Sequence, residues 1–202
     1  MVPYHDVLKF WFEELTPEEW YAKDDNLDLK MTERFIALHS SVVAGECSSW
    51  RVDPEGRLAE ILVIDQFSRN IYREDPKSFI YDPMALALAQ EAIRGEYHKS
   101  FSAQQLQFLY MPFMHSESKY IHNTAMLLFS EPGLEEAFKF ELQHKEIIER
   151  FGRYPYRNKI LKRESTPEEL VFLEKHGNPF DSQKGSWQST TTITSIETTS
   201  IH

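Results

Sequence analysis

Apolar residues recur at three- and four-residue intervals along most of the chain, the spacing of helices with one buried face. Val7, Leu8, Phe10, Trp11, Phe12 and Leu15 form the first stripe, over residues 7–15. A second helix is predicted over 27–43, with Phe35, Ile36 and Leu38 facing inward and Gly45 ending it. A third starts at Asp53-Pro54 and runs to about Asn70. Its stretch 58–67 is apolar nearly all round, which places it in the middle of a fold. Further helices are predicted over 84–94, 106–114, 116 to about 129, 132–152 and 166–177.

Polar punctuation supports these boundaries. Ser102 and Gln105 make a capping box, and Thr166-Pro167-Glu168-Glu169 adds a proline at the first helical position. Thr16-Pro17-Glu18-Glu19 carries the same signature. Gly95, Gly152 and Gly177 read as stops, Ser116 as a cap, and Pro112 as a kink within its helix. The expected fold is all-α: eight or nine helices with short connections, antiparallel pairs stacked as a tetratricopeptide-like α-α superhelix. No repeat period is visible. Residues 1–180 read as a single helical domain, and 181–202, rich in Ser and Thr, as a disordered tail.

Composition narrows the partners. The 202-residue chain has a net charge of −10, which sets it against nucleic acid as a general partner. It has one cysteine, Cys47, so neither an internal disulfide nor a cysteine-based metal site is expected. No secretory leader pattern and no membrane-length apolar run are visible, and the expected location is cytoplasmic, with no membrane partner. The eight histidines form no His-Glu-x-x-His pattern, and no glycine-rich phosphate loop is present. Neither a metal nor a cofactor is expected.

Three constellations carry chemistry. In the first, Asp65 and Arg69 share a helix face, with Asn70 following. They form either a structural ion pair capped by Asn70 or an acid and base lining a pocket. The second is His115-Ser116-Glu117 at a break between helices. Here Ser116 and Glu117 either serve the next helix start, or His115 works as a general acid or base. The third holds His144, Arg153, Arg157 and Asn158. His144 lies on an apolar stripe and reads as a core histidine. Arg153 and Arg157, around a Gly-x-x-Pro turn, form a plausible clamp for a carboxylate or phosphate. Arg-Asn steps at 69–70 and 157–158 echo each other weakly.

Phe10-Trp11-Phe12, Gly56-Arg57-Leu58-Ala59 leading into 65–70, the motif at 110–117, the stretch 151–158 and 165–169 together resemble a mainly bacterial family of unknown function, domain of unknown function 924. The resemblance spans about residues 5 to 180. It implies a tetratricopeptide-like helical fold and no settled activity. His122 and Tyr156 depart from its pattern, which has Gln and His there.

Three functions are open from sequence. The favoured one is a binding module whose pocket, lined by Arg69, Asn70, His115, Glu117, His144, Arg153, Arg157 and Asn158, takes a small anionic molecule or a peptide carboxylate. An enzyme of the hydrolase kind would use His115 with Glu117 or Asp65 as its carboxylate. A structural interaction scaffold would consume these groups in internal caps and ion pairs. The sequence does not decide the oligomeric state, and all three depend on whether the motifs meet in space.

Overall fold

The computed structural model describes residues 3–180, and among them it contains eight helices and no strand. Helix α1 is Tyr4–Lys9, continued by a π-helical turn at Phe10–Glu14. α2 is Asp25–Val43. α3 is Pro54–Leu62, running on through a second π-helical turn at Val63–Phe67 into Ser68–Ile71. α4 is Asp82–Arg94, α5 Ala103–Met114, α6 Lys119–Phe129, α7 Glu135–Phe151 and α8 Pro167–His176. The tail expected over 181–202 lies outside the described residues.

Local chemistry accounts for most boundaries. Asp24 caps α2 by accepting from the Asn26 and Leu27 amides at 2.8 and 3.3 Å. Leu27, Met31, Phe35, Leu38 and Val42 then bury one stripe of α2. Ile36 falls off that stripe and is 41% exposed, contrary to the sequence expectation. Both capping boxes form, at Ser102/Gln105 and Thr166/Glu169. The Thr16 signature makes only its first turn: Glu19 caps the Thr16 amide at 2.7 Å, and the backbone then closes successive turns between residues three apart instead of a helix. Ser118, not Ser116, stands at the start of α6. Pro112 lies inside α5, which continues through it to Met114.

α3 is the axis of the fold. Residues 58 to 68 are all buried, as an all-round apolar helix requires. α1 packs across it, α2 lies along its C-terminal end, and α4 and α5 cover its remaining faces. α5, α6 and α7 pack in succession. One large apolar core joins α1 to α6 and the start of α7. A second, smaller cluster of Ile147, Ile148, Tyr154 and Phe172 holds α8 and the 3-10 turn Pro155–Arg157 against α7. Among the described residues no helix is long and apolar enough to cross a membrane.

Candidate functional site

A cleft opens where the π-helical turn of α3, the end of α5 and the middle of α7 meet. Its apolar lobe, about 560 Å³, is walled by Trp20, Met111, Met114, Ala137 and Phe140. Its polar lobe, about 370 Å³, carries Lys23, Arg73, Glu74, Ser78 and Tyr156. Tyr21, Arg69, His115, His144 and Phe180 border both lobes.

Asp65 lies behind His115 and Arg69 with no exposed surface. Burial alone would raise its carboxyl, but the Arg69 guanidinium and the hydrogen bonds from His115 and Gln66 outweigh that and hold it ionised, well below the usual carboxylate range. Because Asp65 can only accept, His115 must donate: Nδ1–H reaches Oδ1 at 2.8 Å. The proton is thereby fixed on Nδ1. Burial and the charge of Arg69 lower the His115 pKa against the opposing pull of Asp65, so the ring is neutral at pH 7. Its Nε2 then carries a lone pair at the boundary of the two lobes. Arg69 spans the floor, bonding the Asp65 carbonyl and carboxylate and reaching Asp82 Oδ2 at 3.0 Å.

Asp82 is shared. Arg157, buried beneath the cleft, donates to the same Oδ2 at 3.1 Å and to the His115 carbonyl at 3.1 Å. Its guanidinium lies 4.6 Å from the ring centres of both Phe79 and Tyr154, an aromatic sandwich suited to a planar cation. Asp65 and Asp82 therefore balance Arg69 and Arg157, and the cluster has no net charge. The rim is balanced as well: Lys23 pairs with Glu74, Arg73 with Asp28, and Lys139 with Glu136.

His144 lines the cleft opposite. Its Nδ1 donates to the Phe140 carbonyl at 2.7 Å, and its ring lies flat on Phe180, with centroids 3.6 Å apart and planes 5° from parallel. Burial pushes its pKa well below the usual histidine value.

Three of the remaining sequence candidates are placed elsewhere. Glu117 accepts two guanidinium bonds from Arg163, at 2.6 and 2.9 Å, and the Tyr154 amide at 2.8 Å. Arg153 forks onto Glu169 at 2.6 and 2.7 Å. Asn158 bridges Ser165, Glu169 and Arg163. Arg153 and Asn158 tie the Pro155–Arg157 turn to α8, Glu117 holds the residues flanking that turn, and none of the three lines the cleft. Asn70 lines the apolar lobe while donating to Asp28 at 2.8 Å. The departure at His122 is internal too, buried between Glu141 at 2.7 Å and the Ser116 carbonyl at 2.8 Å, whereas Tyr156 faces the polar lobe.

Sequence reasoning missed Asp82 and Gln66, whose amide holds Asp65 and touches Met111 Sδ at 3.2 Å. It also missed Phe79 and Phe180. The Asp-Gln-Phe-Ser-Arg run pointed to Gln66. Nothing local marks Asp82, whose partners are 13 and 75 residues away. Among the described residues no three His, Cys, Asp or Glu side chains are grouped as a metal ion would need.

The chain is similar to a solved structure of a protein of unknown function from Agrobacterium tumefaciens. The two share 35% sequence identity and superpose with a TM-score of 0.78, over 85% of this chain and 97% of the other. No curated protein matches. The family model described as bacterial protein of unknown function, DUF924, matches residues 7–177. With that span nearly coextensive with the eight helices and the cleft between them, the chain belongs to the DUF924 family.

Proposed function

We propose that the cleft binds a small amphipathic molecule, its polar head a carboxylate or carbonyl group at Arg69 and His115, its apolar body along Trp20, Met111, Met114 and Phe140. The observation that carries this reading is a continuous opening with a neutral histidine and a guanidinium at one end and an aromatic and thioether wall at the other. Such a mixture of apolar lining and a few convergent polar groups is the usual make-up of ligand sites. Charge balance narrows the anion expected from sequence. With every guanidinium in the floor already opposed by a carboxylate, a singly charged carboxylate fits better than a phosphate.

The succession of α4 to α7, each packed on the next, supports a tetratricopeptide-like stack for that half. In this reading residues 3–180 act as one domain, in the cytoplasm, with its small-molecule cleft as the working surface. The net charge of −10 speaks against nucleic acid as a partner.

Titration calorimetry with hexanoate, 3-phenylpropionate, acetate and inorganic phosphate tests it. The two amphipathic acids should bind, acetate should bind much more weakly, and phosphate should give no heat. Equal binding of phosphate, or no binding of either amphipathic acid, would overturn the reading.

A further inference from the structure

We propose that the cleft hydrolyses carboxylic esters bearing an apolar acyl group, with the Asp65–His115 pair as general base on water and Arg69 as the group that receives the carbonyl oxygen. This rests on the binding reading above, since the carboxylate placed there is the acid product of such a reaction.

The base is specified by geometry. Asp65, 2.8 Å from His115 Nδ1, takes that ring proton in a hydrogen bond and leaves Nε2 as the acceptor. Asp65 stays ionised and buried, so it stabilises the imidazolium that forms when Nε2 takes a proton. His115 is anchored at its backbone as well, through Arg157 on its carbonyl at 3.1 Å. Two fixed points on one residue hold the ring for proton transfer.

The nucleophile is water. Ser78, Tyr21 and Tyr156 are the hydroxyl-bearing residues lining the cleft, and no cysteine lines it. Ser78 donates its hydroxyl hydrogen to the Asp75 carbonyl. Tyr21 is hydrogen-bonded to Gln107, and burial pushes its pKa up to about 12, so it is a poor nucleophile.

The electrophile follows from charge and leaving group. The floor carries two guanidiniums against two carboxylates, so a multiply charged phosphoester finds no surplus cation. A neutral carbonyl needs none. Arg69 keeps N–H groups beyond those on Asp65 and Asp82, and a developing oxyanion can accept from them. The imidazolium formed at His115 has one proton to give, and a departing alcohol oxygen needs one.

The step balances. Water gives a proton to Nε2 while its oxygen bonds to the carbonyl carbon, and the C=O pair moves onto the oxygen facing Arg69. As that pair returns, the bond from carbon to the alcohol oxygen breaks. The Nε2 proton goes to the departing oxygen, which leaves a carboxylic acid, an alcohol and neutral His115.

The experiment follows 4-nitrophenolate release from 4-nitrophenyl hexanoate by the full chain and by His115→Gln, alongside calorimetry of hexanoate binding to both. The expected result is turnover that falls by about 10²- to 10⁴-fold in the variant, well beyond the few-fold loss of hexanoate affinity and the lower Tm that follow from losing the His115 contacts. The wild-type kcat/KM should rise with pH through one ionisation below about 6.5 and then level off. Hexanoate binding with release no faster than in His115→Gln overturns hydrolysis and leaves the binding reading standing. Absence of hexanoate binding overturns both. Where the variant does not fold, the wild-type protein decides: 4-nitrophenolate release no faster than in buffer alone overturns the proposal.

Discussion

His115 Nδ1 lies 2.8 Å from Asp65 Oδ1, although fifty residues separate them in the chain. The contact joins the π-helical turn of α3 to the C-terminal end of α5, so it is both a tertiary clamp and the floor of the cleft. It also binds the ionisation state of one residue to that of the other. An ionised Asp65 demands a proton on Nδ1, and Arg69 keeps Asp65 ionised.

Asp65→Asn should therefore destabilise the fold strongly. It removes the charge that faces both Arg69 and His115, and breaking a buried pair from one side commonly costs about 3–5 kcal/mol. The double variant Asp65→Asn/Arg69→Met should lose clearly less than the sum of the two single losses. Urea denaturation of all four proteins completes the cycle; simple additivity would show that the pair is not energetically coupled.

Stability should fall early on acidification. Burial lowers the pKa of His39 to about 4 and also lowers those of His115 and His144. The unfolded chain, with histidines near 6.5, then binds these protons more readily than the folded one. The stabilisation is complete above about pH 6.5 and is lost as pH falls from there towards the folded values. For His39 alone the full effect is on the order of 3 kcal/mol. Tm measured from about pH 8 to pH 5 should drop, and His39→Gln should flatten the slope. An unchanged slope in that variant would assign the effect to the cleft histidines.

Glu117→Gln should separate architecture from ligand chemistry. The Glu117 carboxylate holds Arg163 and the Tyr154 amide, and its pKa is lowered because those bonds outweigh the effect of burial. Weakening them should reduce stability by about 1–3 kcal/mol in urea unfolding. Hexanoate affinity should stay within a factor of about two. A larger loss of affinity at full stability would bring Glu117 back into the binding site.

Phe140→Ser should do the opposite. Phe140 is 49% exposed yet walls the apolar lobe and stacks with Tyr21. Stability should change by no more than about 0.5 kcal/mol. Hexanoate binding should weaken several-fold, while acetate, which cannot reach the wall, should be unaffected. Calorimetry on the two acids checks this directly.

Most of the fold was legible in the sequence because its signals are local. Capping boxes at Ser102 and Thr166, the stop at Gly152 and the all-round apolar stretch of α3 each act within a turn or two. Thr16 shows the limit. Half of its box forms, through Glu19 on the Thr16 amide, but the chain turns away, and Trp20 packs on Trp11 and Phe108. The site was half legible. Arg69, His115 and His144 meet at the cleft, and Asp65 and Arg157 lie behind them. Glu117, Arg153 and Asn158 carry equally polar motifs, yet each finds a partner in or beside the last turn and α8. Polarity marks residues that need partners. Only the tertiary fold decides whether the partner is internal.

The π-helical turn at Val63–Phe67 makes α3 a rod with two phases. One residue more per turn than the α-helix sets everything after Phe67 back by roughly 100°. Before the turn, Leu58, Ile61 and Leu62 keep step with the core. After it, Arg69 and Asn70 keep step with the cleft. Wound as regular α-helix with the same number of residues, α3 would carry Arg69 roughly 100° out of line with Asp82, whereas removing one residue from the turn would restore the α-helix and leave Arg69 in place. Here the count of residues in a helix, as much as their identity, determines which side chains reach the opening.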